Sequence, residues 1–436
     1  MAGGTEQVEP VLGAALAGRF EAGAFLAQWG RKDLAKELAL TEAYDRIISG
    51  RNYDLGSVDR EQINGLYGDT LRLSASQIDR QAECRLSYFL KYGLRAKERK
   101  EATVDPAEFG TYVHAVLEET AREIKNLGGF PQVSLEQTLE IAARHSEHYA
   151  REHFAQLDSQ RLAYLFRRNN QELELVVQDL WEELQNSQFQ PEDFEVNFGG
   201  IGGLPPIAIP GSRMNAILRG FVDRVDTWNN GKTSYYRVVD YKTGRKDFDY
   251  CDVFNGVGLQ MLLYLFALQE CGQEVVGENP IPAGVQYFPA RAPYLSTDGQ
   301  LSDEEAAKLR AKELVRRGLL LNDEMVLQAM EPGDEYRRLC CSVKKDGTLS
   351  GDLADREQLK LLKSYLFKIL GRLVDDIASG NVQPNPYTRG SSHSACTFCP
   401  YGAICHEAQV AGRRNYEAMK PDRFWQEIGK EMNPDG

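Results

Sequence analysis

The strongest constraint on the fold is a change of periodicity near Pro191. Up to Asn186 the apolar residues recur at helical spacing. Beyond Pro191 they come in short runs rich in Val, Ile, Phe and Tyr: Phe194 to Phe198, Ile217 to Trp228, Tyr235 to Tyr241, and Ala283 to Phe288. Such runs favour strands, because branched and aromatic side chains pack well on a pleated surface. Asn229-Asn230-Gly231-Lys232 separates the second run from the third, and asparagine and glycine accept the positive φ of a tight hairpin turn. Between the third and fourth runs, Gly258 to Gln269 is apolar on most sides, the pattern of a buried helix. The order helix, three strands, helix, strand predicts an α/β (α+β) fold with a mixed sheet flanked by helices.

Helical additions surround this core. Residues 1–70 carry helical periodicity, as in Gly18 to Leu40, and no catalytic signature. Ser74 precedes the apolar-periodic run Ile78 to Leu90 and is placed to cap its first free N–H groups. A helix follows Gly110 to about Lys125, and Leu135 to Asn186 is helical. Asp303 to Gly380 reads as mostly helical, with a small hairpin at Lys345-Asp346-Gly347. These patterns divide the chain into a helical N-terminal segment (1–70), a main domain (71–410) and a tail (411–436).

At 436 residues, 42% of them apolar, the chain can bury a large core. No apolar run reaches the roughly 18 residues of a membrane span. The N-terminus MAGGTEQVEP has no basic region leading into an apolar stretch, so the cytoplasm is the expected compartment. A net charge of -13 argues against a broadly basic surface for phosphates. Cations nevertheless cluster locally at Arg95 to Lys100 (RAKERK), Arg167-Arg168, Lys242 to Lys246 (KTGRK), Arg316-Arg317 and Lys344-Lys345, each of which reads first as a solvated face.

One constellation could carry chemistry. Strand alternation puts Asp240 and Lys242 of VVDYKTG on one face, and antiparallel pairing through the hairpin could bring Asp223 of GFVDRVD beside them. Two neighbouring carboxylates are costly unless a cation neutralises them, and hard oxygen ligands suit Mg²⁺ or Mn²⁺. A lysine beside such a metal can orient a water and balance charge developing on a phosphate. Gln260 and Tyr264 share a helix face at i and i+4 and could line the same site, and His114 could complete a metal shell. Gly231-Lys232-Thr233 is not a phosphate loop, because Asp226 stands where that motif needs glycine and a hairpin turn replaces the loop.

Eight cysteines without a secretory signal point to thiols or metal ligands. Cys396, Cys399 and Cys405 form a C-x₂-C-x₅-C pattern. A fourth ligand from His393 or His406 would suit zinc, and Cys84 would suit a four-thiolate iron–sulfur cluster; spacing leaves both open.

In order, SASQIDRQAECRLSYFLKYGLRAKER, FGTYVHAVLEE, GFVDRVD, VVDYKTG, GLQMLLYLFAL, AGVQYFPA and CTFCPYGAIC resemble the motifs of RecB-like nucleases of the PD-(D/E)xK superfamily. The likeness spans roughly residues 50 to 410 and is greatest to the C-terminal nuclease region of the AddB family, which works within AddAB helicase–nucleases. The resemblance implies a restriction-endonuclease-like core and a metal-dependent deoxyribonuclease of exonuclease type. Asp223, Asp240 and His114 would hold Mg²⁺ or Mn²⁺, Lys242 would assist the attacking water, and Gln260 and Tyr264 would match the family's Q-x-x-x-Y motif. Cys84, Cys396, Cys399 and Cys405 would bind a [4Fe–4S] cluster that staples the start of the domain to its end. The implied partners are DNA ends and an AddA-type helicase motor, in double-strand break processing and recombinational repair. Residues 1–70 would then be a remnant of a helicase-like region. Two rivals are a non-catalytic DNA-binding or scaffolding subunit and a stand-alone nuclease of CRISPR-adaptation type. One departure is Arg85, where the family usually carries proline after the first cysteine.

Overall fold

The computed structural model describes residues 19–51, 56–97, 106–153, 160–211, 213–292, 302–390, 393–405 and 412–433. The chain divides into two compact units, Met1–Ser57 and Val58–Gly436. In the first, helices Arg19–Gln28, Lys32–Glu37 and Thr41–Arg51 pack around Leu26, Ala35, Leu40 and Tyr44.

The second unit is built on the segments α1 (Ala75–Glu83), α2 (Pro106–Asn126), α3 (Leu135–His153), α4 (Gln160–Asn186), β1 (Gln190–Phe198), β2 (Gly220–Asn229), β3 (Ser234–Lys242), α5 (Gln260–Cys271), β4 (Ile281–Pro289), β5 (Arg317–Leu321), β6 (Leu353–Ala354) and α6 (Arg356–Ala378). The strands form one six-stranded sheet in the order β6-β5-β4-β3-β2-β1. Pairing is antiparallel except for β3 with β4 and β5 with β6, so the sheet is mixed. A parallel pair needs a crossover, and α5 supplies it between β3 and β4. Every residue of α5 from Met261 to Leu268 is buried, which accounts for its lack of a polar face.

Local signals set the ends of these elements. The Ser74 hydroxyl accepts from the Gln77 N–H while the Gln77 side chain reaches back to the Ser74 N–H, a reciprocal cap that starts α1. Asp355 and Gln358 do the same for α6. The β2–β3 turn contains Gly231 at φ +85, as the hairpin signal requires. Val225, Val238 and Val285 belong to the core shared with α5 and α6. Val239, Tyr241 and Phe288 belong to the core under α2, α3 and α4.

Two expectations are corrected. The run Ile217 to Trp228 is not one strand: Asn215–Leu218 pairs parallel with Thr70–Leu73 in a separate sheet, and β2 begins afresh at Gly220. A Cβ on Gly220 would stand 2.3 Å from the Tyr264 hydroxyl, so only glycine lets the chain turn past α5 there. The segment Asp303 to Gly380, expected to be mostly helical, contributes β5 to the main sheet. Its sequence Arg-Gly-Leu-Leu-Leu is covered on both faces and so shows no alternation.

On the α4 side the sheet buries three guanidinium groups, Arg224, Arg237 and Arg316. Asp226 takes Arg224 Nε and Arg237 Nε at 2.8 Å each, and Glu183 takes Arg237 Nη2 at 2.7 Å and Arg316 Nε at 2.8 Å. Asp179 faces Arg316 Nη2 at 2.6 Å. The Arg316-Arg317 pair, expected on a solvated face, is thereby split, with Arg316 in the interior and stacked 4.5 Å from the Phe288 ring centre.

Candidate active site

Arg224 pairs with Val239 across β2 and β3, so the next residues, Asp223 and Asp240, face each other where the two strands end their pairing. The Tyr241 N–H donates to Asp223 Oδ2 at 3.0 Å, so a side-chain carboxylate replaces the backbone acceptor that the ladder would otherwise supply. Asp240 is 3% exposed. Lys242 Nζ lies 2.5 Å from Asp240 Oδ2 but off the direction of a hydrogen bond, leaving that buried oxygen charge-paired with an unspent lone pair. Burial and the neighbouring Asp223 carboxylate hold Asp240 above the usual carboxylate range, with Lys242 opposing. Burial likewise raises Asp223.

His114 reaches the same place from α2. Its Nε2 lies 2.7 Å from the Tyr241 carbonyl oxygen, which can only accept, so Nε2 carries the proton. Nδ1 lies 3.3 Å from Asp223 Oδ2. Burial lowers the basicity of the ring, so the neutral form directs a lone pair at a carboxylate oxygen. Two facing acceptors of this kind require a cation or a proton between them.

Two carboxylates not singled out from the sequence join this group. Glu118 lies one turn after His114 on the same face of α2 and acts on both His114 and Asp223. Glu195 lies between the Phe194–Arg224 and Val196–Val222 pairs, opposite Asp223, so Glu195, Asp223 and Asp240 form a row across three strands. Partial desolvation of its carboxyl, then the charges of Asp223 and Glu118, push Glu195 up to about 7. Its backbone has φ +49, a conformation uncommon outside glycine. The spacing from His114 was a usable signal for Glu118; Glu195 emerges only once the β1–β2 register is known.

Gln260 and Tyr264 lie at the start of α5. The Tyr264 hydroxyl interacts with the Gln260 side chain and the Phe221 backbone, and both Asp223 and Asp240 act on it. The Tyr264 ring stacks on Phe198 at 6.2 Å. Asp79 on α1 holds this end of α5, its Oδ1 accepting from the N–H groups of Gly258 and Leu259 at 3.0 and 3.2 Å. Asp79→Ala is expected to cost about 1 to 2 kcal/mol through those two lost partners. Asp79→Asn keeps an acceptor and should recover most of that loss in thermal unfolding; equal losses for both variants would reject this role.

Far along the chain, Cys84, Cys396, Cys399 and Cys405 line one small cavity together with Leu86, Pro384, Pro386 and Tyr401. None of the eight cysteines is in a disulfide. His393 does not line this cavity and packs edge-on against Tyr387 instead. His406 lies outside the described residues. The Arg85 N–H donates to Asn385 Oδ1 at 2.9 Å and its Nε lies 2.6 Å from Asp376 Oδ2, bonds that proline at this position could not make. Among the described residues, no three His, Cys, Asp or Glu side chains already stand as a preformed metal-binding group.

No helix among the described residues is long and apolar enough to cross a membrane. The sequence model of the PD-(D/E)XK nuclease superfamily matches residues 72–406. The chain is similar to a protein of Thermoanaerobacter sp. (strain X514) named as a subunit of an ATP-dependent helicase/deoxyribonuclease, at 32% identity over 90% of this chain and 35% of the relative. Relatives of the same name from Clostridium novyi, 33% identical over 89% of this chain and 35% of their own, and Moorella thermoacetica, 35% identical over 87% and 34%, agree. The chain thus spans about a third of the length of the curated relatives it matches.

Proposed function

The chain belongs to the PD-(D/E)XK nuclease superfamily, and from that membership we propose that it hydrolyses phosphodiester bonds of DNA with a divalent metal ion, as the nuclease region of a helicase–nuclease subunit. The observation that carries this reading is the facing pair Asp223 and Asp240 beside His114 Nδ1 and Lys242. The donors fit a hard cation: two carboxylates face each other, Asp240 Oδ2 has no hydrogen bond, and an imidazole lone pair is aimed at Asp223. Asp223, Asp240 and His114 would hold Mg²⁺ or Mn²⁺, whose charge would lower the barrier by stabilising negative charge on the phosphate.

The residues of the chain itself have distinct tasks in this scheme. The Tyr241 peptide fixes two of the three proposed ligands, its N–H on Asp223 and its carbonyl on His114. Lys242, next to Asp240, would donate to the attacking water and hold it in line with the phosphorus. Gln260 and Tyr264 stand on the α5 side, where they can hydrogen-bond the strand next to the scissile group. Mg²⁺-dependent cleavage of end-labelled single-stranded DNA, abolished by EDTA, tests the proposal. Binding without cleavage would favour the scaffolding alternative instead.

The four-cysteine cavity, in which Cys84 and not His393 joins the C-x₂-C-x₅-C thiols, supplies the four-thiolate set that a [4Fe–4S] cluster of the kind the family resemblance implies would need. Protein purified without oxygen is expected to carry iron and acid-labile sulfide. Stoichiometric zinc alone would overturn the cluster. In this scheme the partners are DNA ends unwound by an AddA-type motor during break repair in the cytoplasm.

A further inference from the structure

Beyond Lys242, at the C-terminal ends of the parallel pair β3 and β4, the surface opens into a cavity of about 230 Å³. Crevices at the carboxyl ends of parallel strands are favoured places for ligands. Lys242, Arg245, Lys246, Arg291, Lys312 and Arg317 line it, against two carboxylates among the described residues, Asp247 and Glu313. This excess of positive charge sits in a chain of net charge -13, so it is a local field set against the whole. Asp247 is already engaged by Arg245 at 3.3 Å and Arg317 at 3.6 Å. Lys246, Arg291 and Lys312, by contrast, have no carboxylate within ion-pair distance among the described residues, and all three are exposed.

The cations come from three separate segments: the turn after β3, the end of β4, and the helix Asp303–Glu313 with the residues leading into β5. A solvated face needs no such convergence, and mutual repulsion makes it costly without an anion. Lys242 joins the cavity to the carboxylate pair, so whatever fills it lies next to the reacting group. We propose that this cavity binds backbone phosphates of a single DNA strand flanking the scissile phosphate, with Lys246, Arg291 and Lys312 as its phosphate contacts. The inference rests on the nuclease reading and adds to it the element that holds the strand in register.

The test uses the whole chain, a fluorescein-labelled single-stranded oligonucleotide, and a variant carrying Lys246→Ala, Arg291→Ala and Lys312→Ala. A charge-matched control carries Lys232→Ala, Lys344→Ala and Lys345→Ala, all exposed on two hairpin turns. Three lost phosphate contacts should reduce the slope of log K against log[NaCl] by about 2. KM should rise more than kcat falls. A slope and KM matching those of the charge-matched control would overturn the inference. If the wild type binds with the steeper slope but never cleaves, the nuclease reading fails while the phosphate site stands. If Asp240→Ala abolishes cleavage and the triple variant binds as the control does, the site fails while the nuclease stands.

Discussion

Replacing Asp240 by alanine is expected to lower Mg²⁺-dependent cleavage of single-stranded DNA by about 10³-fold or more. A metal ion at the phosphate stabilises the transition state by several kcal/mol, and about 4 kcal/mol corresponds to that factor. Asp240 is buried and faces Asp223 across the strands, beside Lys242 at 2.5 Å. Asp240→Asn should be nearly as inactive, because the amide keeps the shape but not the charge. DNA binding in EDTA, read by fluorescence anisotropy, should stay within a few-fold of wild type. Cleavage within about tenfold of wild type would remove Asp240 from the site.

The largest stability effect is expected at Glu183. It is 8% exposed and accepts from Arg237 and Arg316, two buried guanidinium groups that it shares with Asp226 and Asp179. Removing one partner of a buried pair typically costs about 3 to 5 kcal/mol, and here the remaining acids, Asp226 and Asp179, leave three buried guanidinium groups with one carboxylate too few. Glu183→Ala should therefore lower the unfolding midpoint in urea strongly, in a transition that includes the main sheet. Burial alone would raise the acid, but Arg316, Arg237 and Arg224 together pull it down to about 2 from 4.5. A depressed acid stabilises the fold above its unfolded value and loses that contribution as pH falls. Between about pH 5 and pH 2 wild type should therefore lose about 3 kcal/mol that Glu183→Gln does not lose. Parallel stability curves for the two proteins across that range would reject the assignment.

The two predictions concern opposite sides of one strand pair. On β3, Arg237, Val239 and Tyr241 point toward α4, whereas Val238 and Asp240 point toward α5. A two-residue period separates the structural charges from those proposed to react. The paired guanidinium groups are buried and satisfied by fixed acids. Asp223 and Asp240, in contrast, face each other at the open end of the sheet with Lys242 as the nearby fixed cation among the described residues.

Much of this was legible in the sequence, because it depends on contacts close along the chain. The strand runs, the Asn-Asn-Gly hairpin, the Ser74 cap and the placement of Asp240 and Lys242 on one face all follow from local periodicity and turn chemistry. The hairpin even brought Asp223 to Asp240, since two strands joined by one turn must pair near it. Other features depended on register or on distant segments. Glu195 enters through the β1–β2 pairing, and Asp79 reaches α5 across 179 residues of chain. The strand Arg317–Leu321 escaped because burial on both faces erases the alternation that marks a strand.

Short-range pattern and residue type were enough to specify the helix, three strands, helix and strand of the central core, the family and the pair of acids at the end of β3. Which charges are buried and which face the solvent was settled by packing in three dimensions. Arg316 and Arg317 are adjacent in the chain, yet one is sealed beneath α4 and the other lines the basic cavity beside Lys242. The reason is that burial is set by what packs above a residue, and for β5 the covering element, α4, comes from a part of the chain more than a hundred residues earlier.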